Sequence, residues 1–188
     1  MLGFFPEIFL VLSLLSQLLF NAKLINTLKK NFPLVDKDAY LQTGFILFIC
    51  LMLFLNLSGI NTLTYGNLFT IVNTALILKI SIIFFSLLLI TSIYLSFLVQ
   101  QMNFFEFFSL YLYSILSLLL IVSVDNLMSL YLIVEMQALC FYILASFLRS
   151  SAFSTEAGLK YFILSSFISG FFLFGILAIY GTLGTLNF

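Results

Sequence analysis

The sequence predicts an all-α, polytopic membrane protein with six transmembrane helices, and three observations carry that expectation. Of the 188 residues, 63% are apolar and only 7% are charged, against about 25% charged in soluble domains. The apolar stretches run to roughly 20 residues, the length that crosses a hydrocarbon core. They also lack the period-two alternation of a membrane β-strand. Where no water can pair with the backbone, a span must be a helix or part of a closed barrel, and runs of this kind choose helices.

The first span is expected over residues 4–22, opened by Pro6 at a first-turn position where proline is tolerated. Glu7 then stands near the positive end of the helix dipole. Ser13, Ser16 and Gln17 share one side of this span, which is expected to meet protein and not lipid. The second span is placed at 40–57. A more polar stretch with Gly59 and Gly66 follows, and the third span is placed at 75–99. The fourth covers 107–123. The fifth covers 126–148, with Asp125 positioned to cap it. The sixth covers 157–180, with Ser154 and Thr155 as capping candidates. In that last span Ser165 with Ser169, and Ser166 with Gly170, form small-xxx-small pairs, and Gly158 adds a further small residue. Such faces let helices approach closely.

Basic residues set the expected orientation. Lys23, Lys29, Lys30 and Lys37 follow the first span and Arg149 follows the fifth, while the loops after the second and fourth spans hold none. By the positive-inside rule these odd-numbered loops face the matrix or cytoplasm, and both termini face the intermembrane space or periplasm. The N-terminal run has neither the basic flank nor the cleavage pattern of a signal peptide. With Arg149 as the single arginine, it does not read as a mitochondrial presequence. Twenty-five phenylalanines and no tryptophan point to an AT-rich, organelle-type coding genome.

Several chemistries are excluded by composition. Histidine is absent, and the two cysteines, Cys50 and Cys140, lie far apart in apolar runs. No haem, zinc or iron–sulfur ligand set can be assembled from these residues, and no glycine-rich phosphate loop is present. No cofactor is therefore expected in this chain. Lysine plus arginine equal aspartate plus glutamate, at 7 each, so net charge indicates no nucleic-acid or acidic partner.

The residues that could carry chemistry are the ionisable groups inside spans. Glu135 lies nine residues into the fifth span, roughly 14 Å deep at 1.5 Å per residue. A carboxyl at that depth tends toward protonation and can serve as a switchable proton site. The bland alternative is a glutamate acting as hydrogen-bonded glue between helices. Lys160, near the start of the sixth span, reads either as a snorkelling lysine or as a desolvated amine that passes protons. No direct pairing of Lys160 with Glu135 is expected, because their depths differ. Lys79 reads foremost as an interfacial anchor, and Asp125 as a cap. Glu7 and Glu156 read as charges favourable near helix N-termini. Lys79, Glu106 and Asp125 are kept as auxiliary candidates in proton transfer.

Two segments carry a family resemblance. Asp125-Asn126-Leu127-Met128-Ser129-Leu130-Tyr131 with Glu135-Met136-Gln137-Ala138-Leu139-Cys140-Phe141-Tyr142 resembles the fifth-helix motif of the antiporter-like membrane subunits of NADH:ubiquinone oxidoreductase, respiratory complex I. Ser154-Thr155-Glu156-Ala157-Gly158-Leu159-Lys160-Tyr161 and Gly170-Phe171-Phe172-Leu173-Phe174-Gly175 resemble the sixth helix of the subunit 2 type, mitochondrial versions above all. Phe5-Pro6-Glu7-Ile8-Phe9 is similar to its first helix. The resemblance implies a partial antiporter-like helix bundle. Glu135 would match the family's essential fifth-helix glutamate, and Lys160 a sixth-helix lysine of proton transfer. It also implies a mitochondrial inner-membrane location and no cofactor in this subunit, with proton movement driven by quinone reduction elsewhere in the complex.

The family has roughly fourteen helices arranged around inverted repeats. This sequence carries six and lacks the seventh- and eighth-helix lysines, one of which usually pairs with the glutamate. The expected partners are other membrane-arm subunits of complex I, the lipid bilayer, and a separate polypeptide that supplies the remaining helices. Two other classes stay open at this stage: a structural brace without its own proton path, and a subunit of a related cation/proton antiporter.

Overall fold

In a computed structural model, backbone structure is described for residues 5–27, 32–57, 63–65, 69–71, 73–100, 105–148 and 151–186. Six helices follow one another: α1 (Phe5–Thr27), α2 (Phe32–Leu57), α3 (Asn73–Gln100), α4 (Phe105–Ile121), α5 (Leu127–Ala145) and α6 (Ala152–Leu183). Between α2 and α3 a small antiparallel ribbon pairs β1 (Leu63–Tyr65) with β2 (Phe69–Ile71), Thr64 opposite Thr70. Gly59, Gly66, Lys29, Lys30 and Arg149, all used in the sequence reading, lie outside the described residues, as does the side chain of Lys23.

Among the described residues five helices hold windows long and apolar enough to cross a membrane: 5–22, 37–57, 74–97, 127–145 and 152–183. The shorter apolar helix is α4, with 17 residues, or about 26 Å at 1.5 Å per residue. It is also the most enclosed, packing against α1, α2, α3 and α5. α2 starts earlier than expected, at Phe32, so Lys37 and Asp38 stand on its first turns with exposed side chains instead of in a loop.

The core belongs to α1–α4. Glu7, Leu10, Leu14, Gln17 and Asn21 are the buried face of α1, spaced alternately three and four residues apart, the spacing that lines up one helix face. α2 answers with Ala39, Thr43, Leu47, Cys50 and Phe54. Leu76 and Ile83 of α3 and Leu112, Ile115, Leu116 and Leu119 of α4 complete one apolar cluster. Towards the opposite end, Ala39, Ile90 and Phe108 form a second cluster. There Tyr40 stacks on Tyr94 with ring centroids 4.1 Å apart, and Tyr111 Oη donates to the Ser86 carbonyl at 2.7 Å. Buried hydroxyls of Ser86, Ser109, Ser114 and Ser117 each donate to the carbonyl three residues back, which satisfies them without water.

α5 and α6 form an antiparallel pair attached through α4. The cap of α5 is Asn126, not the expected Asp125: its Oδ1 accepts from the Met128 N–H at 2.9 Å. Either side chain is chemically able to cap, and the chain direction at Asn126, with β-region backbone, selects it. The sixth helix is likewise capped earlier than expected. Ser151 Oγ accepts from the Ser154 N–H at 3.3 Å, so Ser154 and Thr155 fall inside the first turn. There Ser154 Oγ donates instead to the Ala145 carbonyl at 2.8 Å, tying α6 to the end of α5. Gly184 ends α6 with φ 69°, a left-handed turn that glycine adopts without steric cost. Just beyond it the Leu186 carbonyl accepts from the Leu127 N–H at 2.9 Å. Both ends of the pair are thus fastened.

Candidate functional site

Glu135 stands on the eighth residue after Leu127, the first of the 19 residues of α5, about 12 Å from that end at 1.5 Å per residue. The mid-span depth follows from the helix start that Asn126 imposes. The side chain is half-buried. Its neighbour Met136 packs on the core of α1–α4, and Ile133 and Cys140 are buried. Among the described residues Glu135 has no ion-pair partner.

Two ring contacts fix the register of α6 against α5: Tyr131 with Phe172 at 6.1 Å and Tyr142 with Phe162 at 5.4 Å. Glu135 lies four residues past Tyr131, so its level on the antiparallel α6 is that of Ile168 and Ser169. Lys160 is eight or nine residues further along α6, roughly 13 Å away at 1.5 Å per residue. It pairs with Glu156 one turn back, at 2.6 Å, and both side chains are largely exposed. The structure therefore keeps Lys160 and Glu135 apart.

The small residues of α6 divide. Gly158 is buried, and a Cβ there would meet the Ser146 Cβ at 2.4 Å, so only glycine permits this close approach. Gly170 has open space around it, Ser166 is exposed, and Ser165 and Ser169 are partly so. Among the described residues nothing covers that stripe. Phe167, Phe171 and Phe174 stand exposed along the same helix.

The auxiliary candidates fare differently. Glu106 opens α4 with an exposed side chain. Asp125 is half-buried in the α4–α5 connection. Lys79 does not anchor at an interface. It is fully buried, makes an ion pair with Glu7 of α1, and lies 5.7 Å from the centroid of the Phe54 ring. The reason is geometric: α1 and α3 start at the same end of the bundle, and each turns its single early charge inward. Opposite charges at similar depth were the available signal in the sequence, but helix rotation was not. Glu7, read there as a dipole charge, is thus the counter-ion of a buried ammonium.

Comparison with known proteins adds a family. Residues 124–188 match the family described as NADH:quinone oxidoreductase/Mrp antiporter, transmembrane. The chain is 36% identical over 189 residues to NADH-ubiquinone oxidoreductase chain 2 of Marchantia polymorpha, covering all of this chain and 38% of that protein. The chain 2 protein of Oenothera berteroana is 37% identical over 191 residues, with 39% of its length covered. NADH-quinone oxidoreductase subunit N of Granulibacter bethesdensis is 48% identical over 84 residues, 45% of this chain and 18% of that protein. Among solved structures, respiratory complex I from Thermus thermophilus with bound aureothin contains a chain that superposes with a TM-score of 0.76. The match covers 97% of this chain and 38% of that one, at 22% identity, and so bears on fold alone. The chain spans less than two-fifths of the length of the chain 2 relatives it matches.

Proposed function

The chain belongs to the NADH:quinone oxidoreductase/Mrp antiporter family, and from that premise we propose that it is the N-terminal part of the family's subunit 2 type. In this reading it is a proton-translocating subunit in the membrane arm of NADH:ubiquinone oxidoreductase. The observation that carries it is the alignment of the whole chain, at 36% identity, with a chain 2 protein. The chain supplies no redox chemistry. Quinone reduction takes place elsewhere in the complex and drives the proton step here. It is a multi-pass protein of the mitochondrial inner membrane, with both termini toward the intermembrane space. Other membrane-arm subunits surround it, and the helices that relatives carry beyond the aligned part cover the exposed side of α5 and α6.

Glu135 is the proton-relay carboxyl. A carboxylate held at mid-span needs a cation or a proton, and no ammonium pairs with it among the described residues. An ammonium brought within about 4–6 Å by one of the further helices would hold it ionised, and its withdrawal would favour protonation. Lys160 acts on the matrix side, and the roughly 13 Å between the two levels on a 1.5 Å rise requires water or mobile side chains to bridge it. Glu135→Gln keeps the shape and removes the titration. In assembled complex, NADH-driven proton uptake into vesicles is expected to fall strongly, and Lys160→Met to act in the same direction but less. Undiminished pumping in assembled Glu135→Gln complex would overturn the relay and leave a structural brace.

A further inference from the structure

We propose that the Glu7–Lys79 pair is a hydrated proton-exchange site, separate from the Glu135 site and open to water from one end of the α1–α4 bundle. Glu7 is 4% exposed and Lys79 0%. One carboxylate oxygen of Glu7, Oε1, accepts from Lys79 Nζ. The other, Oε2, is sealed from bulk solvent and meets no donor among the described residues. A carboxylate has about four lone-pair sites to satisfy, and in a low-dielectric interior an oxygen left bare is strongly unfavourable. Internal water occupies positions of this kind, where buried polar groups lack protein partners.

The position allows water to arrive. Glu7 is the third residue of α1 and Lys79 the seventh of α3, which places them about 3 and 9 Å from their helix starts at 1.5 Å per residue. Both helices start at the same end. Past the pair, Leu10, Leu14, Leu47 and Ile83 close the bundle with apolar side chains. On α1 the next buried polar residues after Glu7 are Gln17 and Asn21, which begin about 15 Å beyond it on the same arithmetic. The site therefore exchanges protons with the membrane face nearer to it.

Cys50 of α2 supplies a native reporter. It is buried in the same cluster and close enough to Glu7 and Lys79 to experience both charges. Water that reaches these charges carries deuterium to its S–H proton. The test uses the chain in its native membrane complex, transferred into D2O and followed by infrared spectroscopy. The difference between the natural chain and its Cys50→Ser variant isolates the Cys50 band. The expected result is loss of the Cys50 S–H band together with the fast-exchanging surface amides. An S–H band that persists alongside the protected helical amides means a dry pair and overturns the proposal. Glu7→Gln is not needed for the decision, so a folding defect in that variant does not cloud it.

Discussion

Removing Lys79 leaves the buried Glu7 carboxylate without the ion pair it makes in this bundle. Lys79→Met alone is expected to destabilise the α1–α3 contact by about 3–5 kcal/mol, the usual cost of orphaning a buried ion. Joint replacement of Glu7 by Gln and Lys79 by Met should cost much less, because no net charge is left uncompensated. Assembly yield of the two single variants and the double variant, compared as a mutant cycle, checks this: a double-variant loss equal to the sum of the two single losses would show that the pair is not coupled. Glu135 differs from Glu7 in kind. It stood out in the sequence because a lone carboxyl in a 19-residue apolar helix contrasts with every neighbour. Lys79 and Glu7 were equally visible as charges but not as a pair. They are 72 positions apart, and only the rotation of each helix about its axis decides whether such charges point inward. The same rotation turned Lys160 outward to Glu156.

Helix pairs obey two different rules here. α5 and α6 meet where Gly158 lets Ser146 approach, and an alanine Cβ would be placed 2.4 Å from the Ser146 Cβ. Gly158→Ala is therefore expected to push α6 outward and destabilise the pair by about 1–3 kcal/mol, the range for overpacking. Adding Ser146→Gly should recover part of that loss, and thermal stability of the assembled complex is the measure. Gly170 presents the contrasting case, with open space on its side of α6. Gly170→Leu should leave the α5–α6 pair intact yet reduce incorporation into the complex, because the proposed function has further helices pack on the stripe with Ser165, Ser166 and Ser169. Normal incorporation of Gly170→Leu would show that lipid, and not protein, covers this face. Element ends follow local chemistry as well. Asn126 and Ser151 cap α5 and α6 because their backbones adopt the extended conformation that aims a side-chain oxygen at the first free N–H groups, a geometry that residue type alone does not select.

At the scale of the whole molecule, the asymmetry between two halves is the main feature. α1–α4 enclose a core that includes fully buried Leu47, Phe54, Ile83 and Leu119, whereas α6 leaves Leu159, Phe167 and Phe174 more than 60% exposed. In a bilayer such a face meets lipid or protein at little cost, but Glu135 beside it does not, since an ionisable group in hydrocarbon is expensive. The proposed topology also has a direct check. Cysteine introduced at Lys37, exposed on α2, should react with an impermeant thiol reagent from the matrix side only, as the basic loop residues require. Reaction from the intermembrane side would reverse the orientation.

The sequence by itself determined that the chain is a helical membrane protein and that Glu135 is an ionisable group well inside an apolar helix. These properties depend on composition and on period along one helix, and both are local. Tertiary structure alone decided which faces meet. It joined Glu7 to Lys79, separated Lys160 from Glu135, gave Gly158 a neighbour and Gly170 none. The physical reason is that an apolar residue suits lipid and protein interior almost equally, so inside a membrane hydrophobicity no longer marks the buried face. Rotation and register are then fixed by packing between helices distant in the sequence.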